Sequence, residues 1–314
     1  MTLTLNQRIQ QFYDVSSPLW EQIWGEHMHH GYYGADGKQR KDRRQAQIDL
    51  IEELLNWANI QEASQILDVG CGIGGSTLYL ADKFKACATG ITLSPVQANR
   101  AQQRAQEAEM AGSEEERSHP AGGKVGGEVS STFLTIFPSE LSPKRAIAQF
   151  QVADALNLPF ANQSFDLVWS LESGEHMPDK VKFLQECYRV LQPGGTFLLV
   201  TWCHRPTDEQ PLTANERKHL EDIYRVYCLP YVISLPHYEA IARSCGFQNI
   251  RIADWSTAVA PFWDVVIDST LTPTALLGLL RSGWTTIQAA LSLGLMRRGY
   301  QRGLIRFGLL CATR

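Results

Sequence analysis

Residues 65–76 read Gln65-Ile66-Leu67-Asp68-Val69-Gly70-Cys71-Gly72-Ile73-Gly74-Gly75-Ser76. An apolar run enters a glycine-rich turn, and the segment Ser76 to Phe84 leaves it with helical spacing. That order predicts a buried strand, a tight loop and a helix whose N-terminus faces whatever binds there. Glycines let backbone amides approach a ligand closely, and a helix N-terminus favours negative charge. Gly70, Gly72 and Gly75 satisfy the dinucleotide spacing G-x-G-x-x-G, but a dinucleotide site also wants an acid at the end of the next strand for the adenosine ribose. Here that strand ends Gly90-Ile91-Thr92, with no acid; the acid present is Asp68, inside the first strand.

Working outward, apolar runs of four to seven residues alternate with helical-period segments, the pattern of a mostly parallel sheet covered by helices. Strands are expected at residues 65–69, 86–91, 149–152, 165–170, 196–202, 247–252 and 304–311, and helices at 42–58, 76–84, 95–110 and 179–191. Ser94 before Pro95 reads as an N-cap followed by a first-turn proline. Residues 1–14 read as the start of a polar, weakly amphipathic helix. Two segments break the series. Residues 111–146 carry the acidic run Glu114 to Glu116 and two glycine pairs, so a mobile surface insertion is expected, although Phe133, Leu134, Ile136 and Phe137 form an apolar cluster within it. Residues 260–303 read as a mostly helical cap. The expected layout is an N-terminal helical cap over residues 1–60, a core over 61–258, and a C-terminal cap with the last strand over 259–314.

With 314 residues, 44 % of them apolar and 20 % charged, the chain can build a sizeable core. A net charge of −4 gives no global attraction to nucleic acid, and no nucleic-acid partner is expected. The charge is uneven. From Ser269 onward there are six arginines (Arg281, Arg297, Arg298, Arg302, Arg306, Arg314) and no acid, while the rest holds 23 Lys plus Arg against 33 Asp plus Glu. With leucines at helical spacing nearby, that segment reads as a packed cap helix or as a basic surface lying on anionic lipid. Seven scattered cysteines without a C-x-x-C pair suggest neither disulfides nor a zinc site. No signal or transit layout and no membrane span is read, so a cytoplasmic protein, or one peripheral on a membrane, is expected.

Four motifs in order resemble the class I, Rossmann-like methyltransferases that use S-adenosylmethionine. They are Asp68-Val69-Gly70-Cys71-Gly72, Val152-Ala153-Asp154-Ala155, Phe165-Asp166-Leu167-Val168-Trp169-Ser170 and the turn Arg189 to Gly195. The resemblance implies a seven-stranded, mostly parallel α/β sheet with helices on both faces and helical caps. It implies a cofactor site built from Asp68, Gly70, Cys71, Gly72, Gly74, Thr92, Leu93, Asp154 and Ala155, closed over by Tyr32 and Tyr33 of the N-terminal cap. Asp154 would accept from the adenine amino group. Many members carry a ribose-binding acid where Thr92 stands, so this chain departs from the pattern there.

More specific strings include Phe12-Tyr13-Asp14, His27-Met28-His29-His30-Gly31-Tyr32-Tyr33, Glu172-Ser173-Gly174-Glu175-His176-Met177 and Thr201-Trp202-Cys203-His204. With the preceding Leu19 to Glu26 and with Ala253 to Trp263, they resemble the γ-tocopherol methyltransferases of plants and cyanobacteria, over nearly the whole chain except residues 111–146. That resemblance implies C-methylation of a tocopherol ring (γ to α, δ to β), in a cyanobacterial form given the missing transit layout; the alternatives are a methyltransferase for another prenylated phenol, quinol or lipid-like acceptor, and a non-catalytic lipid-binding protein that keeps the cofactor fold. Methylating a ring carbon ortho to a phenol calls for a base, and His is the default candidate near neutral pH. Ligands of open α/β sheets lie at strand carboxyl ends, which favours His176 and His204; Glu172, Glu175, His29 and His30 are further candidates. A metal site at His27, His29 and His30 lacks a supporting carboxylate or cysteine pattern, and none is expected. The tryptophans at 20, 24, 169, 202, 255, 263 and 284 suggest an apolar tunnel for a lipophilic acceptor.

Overall fold

A computed structural model of the chain describes residues 3–118, 146–208, 210–270 and 284–314. Seven strands form one sheet in the order β3-β2-β1-β4-β5-β7-β6. They are β1 (Gln65–Val69), β2 (Cys87–Thr92), β3 (Ile147–Val152), β4 (Phe165–Leu171), β5 (Leu191–His204), β6 (Gln248–Asp254) and β7 (Ile305–Thr313). β1 to β5 run parallel, and β7 lies antiparallel between β5 and β6. The winding reverses between β1 and β4, and a doubly wound sheet opens a ligand crevice at the carboxyl ends of such a pair.

Because side chains alternate along each strand, successive residues feed opposite layers. Ile66, Trp169 and Leu198 enter one buried cluster with Leu50, Leu54 and Phe307, while Leu67, Val168 and Leu199 enter the other with Phe183, Leu184 and Tyr238. The first layer is covered by α2 (Arg43–Ala58) and the second by α5 (Lys180–Val190) and α7 (Leu235–Ser244). Local capping sets the helix starts. Asp42 accepts from the Gln45 amide at 3.0 Å, Ser94 from Gln97 at 3.1 Å and Asp179 from Lys182 at 2.8 Å.

The helix that starts within residues 1–14 is long: α1 (Leu5–Trp24) runs through Pro18, with a capping box between Thr4 and Gln7 at its start. It is pinned onto α4 (Pro95–Ser118) by Gln97 donating to Ser17 at 3.0 Å and Arg100 to Glu21 at 2.9 Å. α4 in turn continues past Met110, so residues 111–118, including Glu114 to Glu116, are helical and not loop. The apolar cluster at Phe133 to Phe137 and the sites of Arg281 and the leucines at 276–280 lie outside the described residues.

After α3 (Gly75–Phe84), α6 (Ala214–Val226) and the short α8 (Ser256–Val259), the cap comprises α9 (Pro261–Thr270) and α10 (Trp284–Gln301). Of the five described arginines after Ser269, three have partners within the chain. Arg297 pairs with Asp264 at 2.6 Å, Arg306 with Asp254 at 3.3 Å, and Arg314 donates to the carbonyls of Tyr188, Arg189 and Leu191. Among the described residues, no helix is long and apolar enough to cross a membrane.

Candidate active site

The turn after β1 is held by both strands beside it. The amides of Gly70 and Cys71 donate to Ile91 O, each at 2.9 Å, and Ser173 Oγ donates to Val69 O at 2.6 Å. Gly70 adopts φ +85°, and a Cβ there would lie 2.2 Å from Ser173 Cβ, so only glycine fits. Asp68 is buried and accepts from Thr77 Oγ1 at 2.6 Å. Burial pushes its carboxyl up to about 7, opposed by that hydrogen bond.

Asp68, Gly70, Cys71, Gly72, Thr92, Leu93, Asp154 and Ala155 all line one cleft at the carboxyl ends of β1, β2 and β4. Where an acid is missing, Thr92 Oγ1 donates to Gln97 Oε1 at 2.7 Å, both side chains buried. Gln97 was not legible as a site residue, because its place depends on the turn of α4 that brings it back to the end of β2. Asp154 accepts from the Leu156 amide at 2.9 Å and from Asn6 Nδ2 of α1 at 2.8 Å. This set suits a nucleoside: a neutral hydroxyl and amide pair at one strand end, a carboxylate at the next, and a glycine turn between them that lets a ligand approach closely.

Three expected cofactor residues lie elsewhere. Gly74 caps α3 under Phe150, which a Cβ would meet at 2.7 Å. Gly31 packs so tightly on Ala46 that a Cβ would approach its Cβ to 2.5 Å, which turns the chain away from the cleft. Tyr32 therefore packs on Trp255 at 5.3 Å between ring centroids, and Tyr33 is buried with its amide donating to Ala258 O at 2.9 Å. Met28 and His29 line the cleft in their place. His29 Nδ1 donates to His30 O at 2.8 Å, and its buried Nε2 makes no hydrogen bond among the described residues. Burial lowers the pKa of this imidazole.

The other end of the cleft is aromatic and apolar, walled by Ile9, Phe12, Trp20, Trp24, Met177 and Trp202. Of the expected tunnel tryptophans, Trp20, Trp24 and Trp202 take part, whereas Trp169 and Trp263 belong to the core and Trp255 packs against it. The Trp284 side chain lies outside the described residues.

Two ionisable side chains, Glu175 and His176, also line the cleft, and a third, Lys180, holds their turn. Glu175, fully buried, accepts from Thr201 Oγ1 at 2.8 Å; burial first and the neighbouring Glu172 charge second push its carboxyl up to about 8. His176 Nε2 shares a 2.6 Å hydrogen bond with Tyr13 Oη of α1, and burial lowers this imidazole to about 3, leaving it neutral. Lys180, also buried, donates to Gly174 O at 2.8 Å and Glu175 O at 3.1 Å, and so fixes the turn that carries both groups. Burial lowers it to about 7, with Glu175 opposing.

Glu172 lines the cleft and pairs with His30, which stands behind it. Glu172 accepts from the His30 amide and from His30 Nδ1, each at 2.7 Å, and from Trp202 Nε1 at 3.0 Å. Burial alone would raise the Glu172 carboxyl, but His30 overrides it and holds the carboxyl below its ordinary value. A carboxylate with three donors is poorly placed to take a proton.

His204 is not in the cleft. Residues 203 and 204 at the end of β5 still pair with Arg306 and Ile305 of β7, and His204 Nδ1 donates to Arg205 O at 2.6 Å. His204→Ala is therefore expected to leave turnover with saturating acceptor unchanged in a steady-state assay. Tyr13, like Gln97, is a site residue that sequence reasoning missed: its partner is 163 positions away, and its signal was the string Phe12-Tyr13-Asp14. Among the described residues, no three His, Cys, Asp or Glu side chains converge as metal ligands.

A seven-stranded doubly wound sheet with a nucleoside-fitting cleft at its switch point defines a class I S-adenosylmethionine-dependent methyltransferase. A family model described as a methyltransferase domain matches residues 121–199, and one described as mycolic acid cyclopropane synthetase matches residues 2–118. The chain is 43 % identical to the chloroplastic tocopherol O-methyltransferase of Arabidopsis thaliana, over 98 % of this chain and 82 % of that one. It is 31 % identical to the 2-methyl-6-phytyl-1,4-hydroquinone methyltransferase of Synechocystis sp., over 94 % and 83 %. The structure of geranyl diphosphate C-methyltransferase from Streptomyces coelicolor A3(2) superposes with a TM-score of 0.70 at 18 % identity, covering 100 % of this chain and 98 % of that one, which shows the shared fold. The chain belongs to the tocopherol methyltransferase family.

Proposed function

We propose that this enzyme methylates the chromanol ring of tocopherols at the carbon ortho to the phenol, converting γ- to α-tocopherol and δ- to β-tocopherol. Family membership supports the substrate class. The observation that carries a phenolic acceptor is Glu175, a buried carboxyl pushed up to about 8 in a cleft with aromatic walls and so suited to take a phenol's proton. S-adenosylmethionine, when bound, supplies an electrophilic methyl group on a sulfonium. Asp68, Thr92, Gln97 and Asp154 would hold it, with the Gly70 to Gly72 turn beside it.

Glu175 takes the phenolic proton, which sends electron density to the ortho carbon. With the methyl group that S-adenosylmethionine would supply, that carbon would form the new C–C bond with its ring electrons, and the pair of the broken S–CH₃ bond would stay on sulfur. The ring hydrogen at the same carbon then leaves as a proton, the phenol is restored, and the net change is one methyl gained and one proton released. The neutral Tyr13 and His176 pair lies beside Glu175 as a relay for that proton. Walls of Trp20, Trp24 and Trp202 exclude water and fix the ring, and such positioning can contribute up to roughly 7–11 kcal/mol of the barrier.

A panel assay with labelled S-adenosylmethionine decides the acceptor. Label is expected in the products of γ- and δ-tocopherol and not in that of a prenylated benzoquinol; label in the benzoquinol product alone would contradict the tocopherol reading. A peripheral contact with anionic lipid is supported by the exposed Arg298 and Arg302 near the end of α10. Changing both to Ala should reduce sedimentation with anionic vesicles, and unchanged sedimentation would count against that contact.

A further inference from the structure

His30 is buried at the meeting point of four parts of the chain. Around its imidazole stand five aromatic rings: Phe262 at 4.8 Å between centroids, Trp263 at 5.0 Å, Phe307 at 5.2 Å, Tyr300 at 5.7 Å and Trp202 at 6.1 Å. These come from α9, α10, β5 and β7, while Glu172, the one polar side chain bonded to the ring among the described residues, directly follows β4. Glu172 itself holds φ +53°, a left-handed conformation that costs free energy for a residue with a Cβ. A conformation of that kind persists only where surrounding contacts impose it, and here its effect is to aim the carboxylate at His30 and Trp202 together.

Trp202 is the point where this cluster reaches ligand. Its indole N–H is bound to Glu172, its ring packs edge-on against Tyr227 at 5.2 Å, and it lines the aromatic end of the cleft. Without a partner for the N–H, the indole could rotate about its side-chain torsions and lose its place as a flat wall.

We propose that His30 and Glu172 are positioning residues that lock the Trp202 indole as the wall on which the acceptor's aromatic ring is seated. They are thus neither base nor cofactor ligand, and Trp202 determines how the phenol ring is presented. This rests on the reading of the aromatic end of the cleft as the acceptor site.

The test is a double-mutant cycle read as acceptor and cofactor KM separately. Glu172→Gln and Trp202→Phe should each raise the KM for γ-tocopherol about tenfold, the order of one charge-assisted hydrogen bond, with the KM for S-adenosylmethionine unchanged. Because both act through one indole, the double variant should be no worse than the weaker single one. His30→Asn, which keeps a donor near the Nδ1 position, should restore most of the acceptor affinity that His30→Ala loses. Multiplying effects in the double variant, or an unchanged acceptor KM in Trp202→Phe, would overturn the proposal. If Glu172→Gln does not fold, Trp202→Phe and the His30 pair decide it alone. A wild-type enzyme that turns over a different phenol would overturn the substrate reading instead, and the same cycle with that phenol then judges the wall.

Discussion

Glu175→Gln is expected to lower kcat by about 10²- to 10⁴-fold, the range that a positioned general base contributes. The amide is nearly the same size and can still accept from Thr201, so binding of S-adenosylmethionine, measured by calorimetry, should stay at the wild-type level. In the wild type, activity should rise with pH through about 8, as the Glu175 carboxyl loses its proton and becomes able to accept another. The same proton is linked to folding. Between the ordinary carboxyl value and about 8, the folded protein keeps a proton that the unfolded chain releases, so stability from this group is fully present below that window and is lost as pH rises through it. Glu175→Gln should flatten both dependences. Full activity with an unshifted profile would remove Glu175 from the mechanism and leave the Tyr13 and His176 pair as the candidate base.

Gly70→Ala should be the most damaging substitution in the cofactor half. Its methyl would lie 2.2 Å from Ser173 Cβ and 2.6 Å from Ser173 Oγ. Ser173 cannot move aside cheaply, because its hydroxyl holds Val69 O at 2.6 Å and Ser170 Oγ at 2.7 Å. Overpacking of about 1–3 kcal/mol adds to about 1–2 kcal/mol for an L-residue in the left-handed region, so a loss of about 2–5 kcal/mol is expected by thermal unfolding. Binding of S-adenosylmethionine should fall below detection at the same time. Gly194→Ala serves as control: its φ is +79°, yet nothing stands within 4 Å of the added methyl, so only the backbone cost applies. Equal losses in the two variants would show that the clash with Ser173 is not what specifies glycine at 70.

The cofactor half was legible because its information is local. The strand, the glycines and Asp68 lie within a dozen residues, and the ends of β2 and β3 follow from the sheet's alternation. The acceptor half depends on contacts far apart in the chain. Tyr13 meets His176 only because α1 runs on past Asp14 and is pinned to α4, and no periodicity announces that meeting. His204 looked equivalent to His176 because both follow strands, but β5 has an antiparallel partner to its last residue and β4 does not. Tyr32 and Tyr33 were drawn toward the core by one close approach, Gly31 on Ala46, which is invisible until α2 is docked. The basic segment lost part of its apparent surface charge for a related reason: Asp264 and Asp254, both before Ser269, supply partners that a count by segment leaves out.

The most direct measurement is the fate of a ¹³C-methyl group carried by S-adenosylmethionine when the enzyme is given γ-tocopherol. The carbon-13 spectrum of the product should show the label in a methyl group on the aromatic ring, beside an intact phenol. Label in a methyl ether on the phenol oxygen, or no label in the product at all, would contradict the assignment of this cleft to ring-carbon methylation.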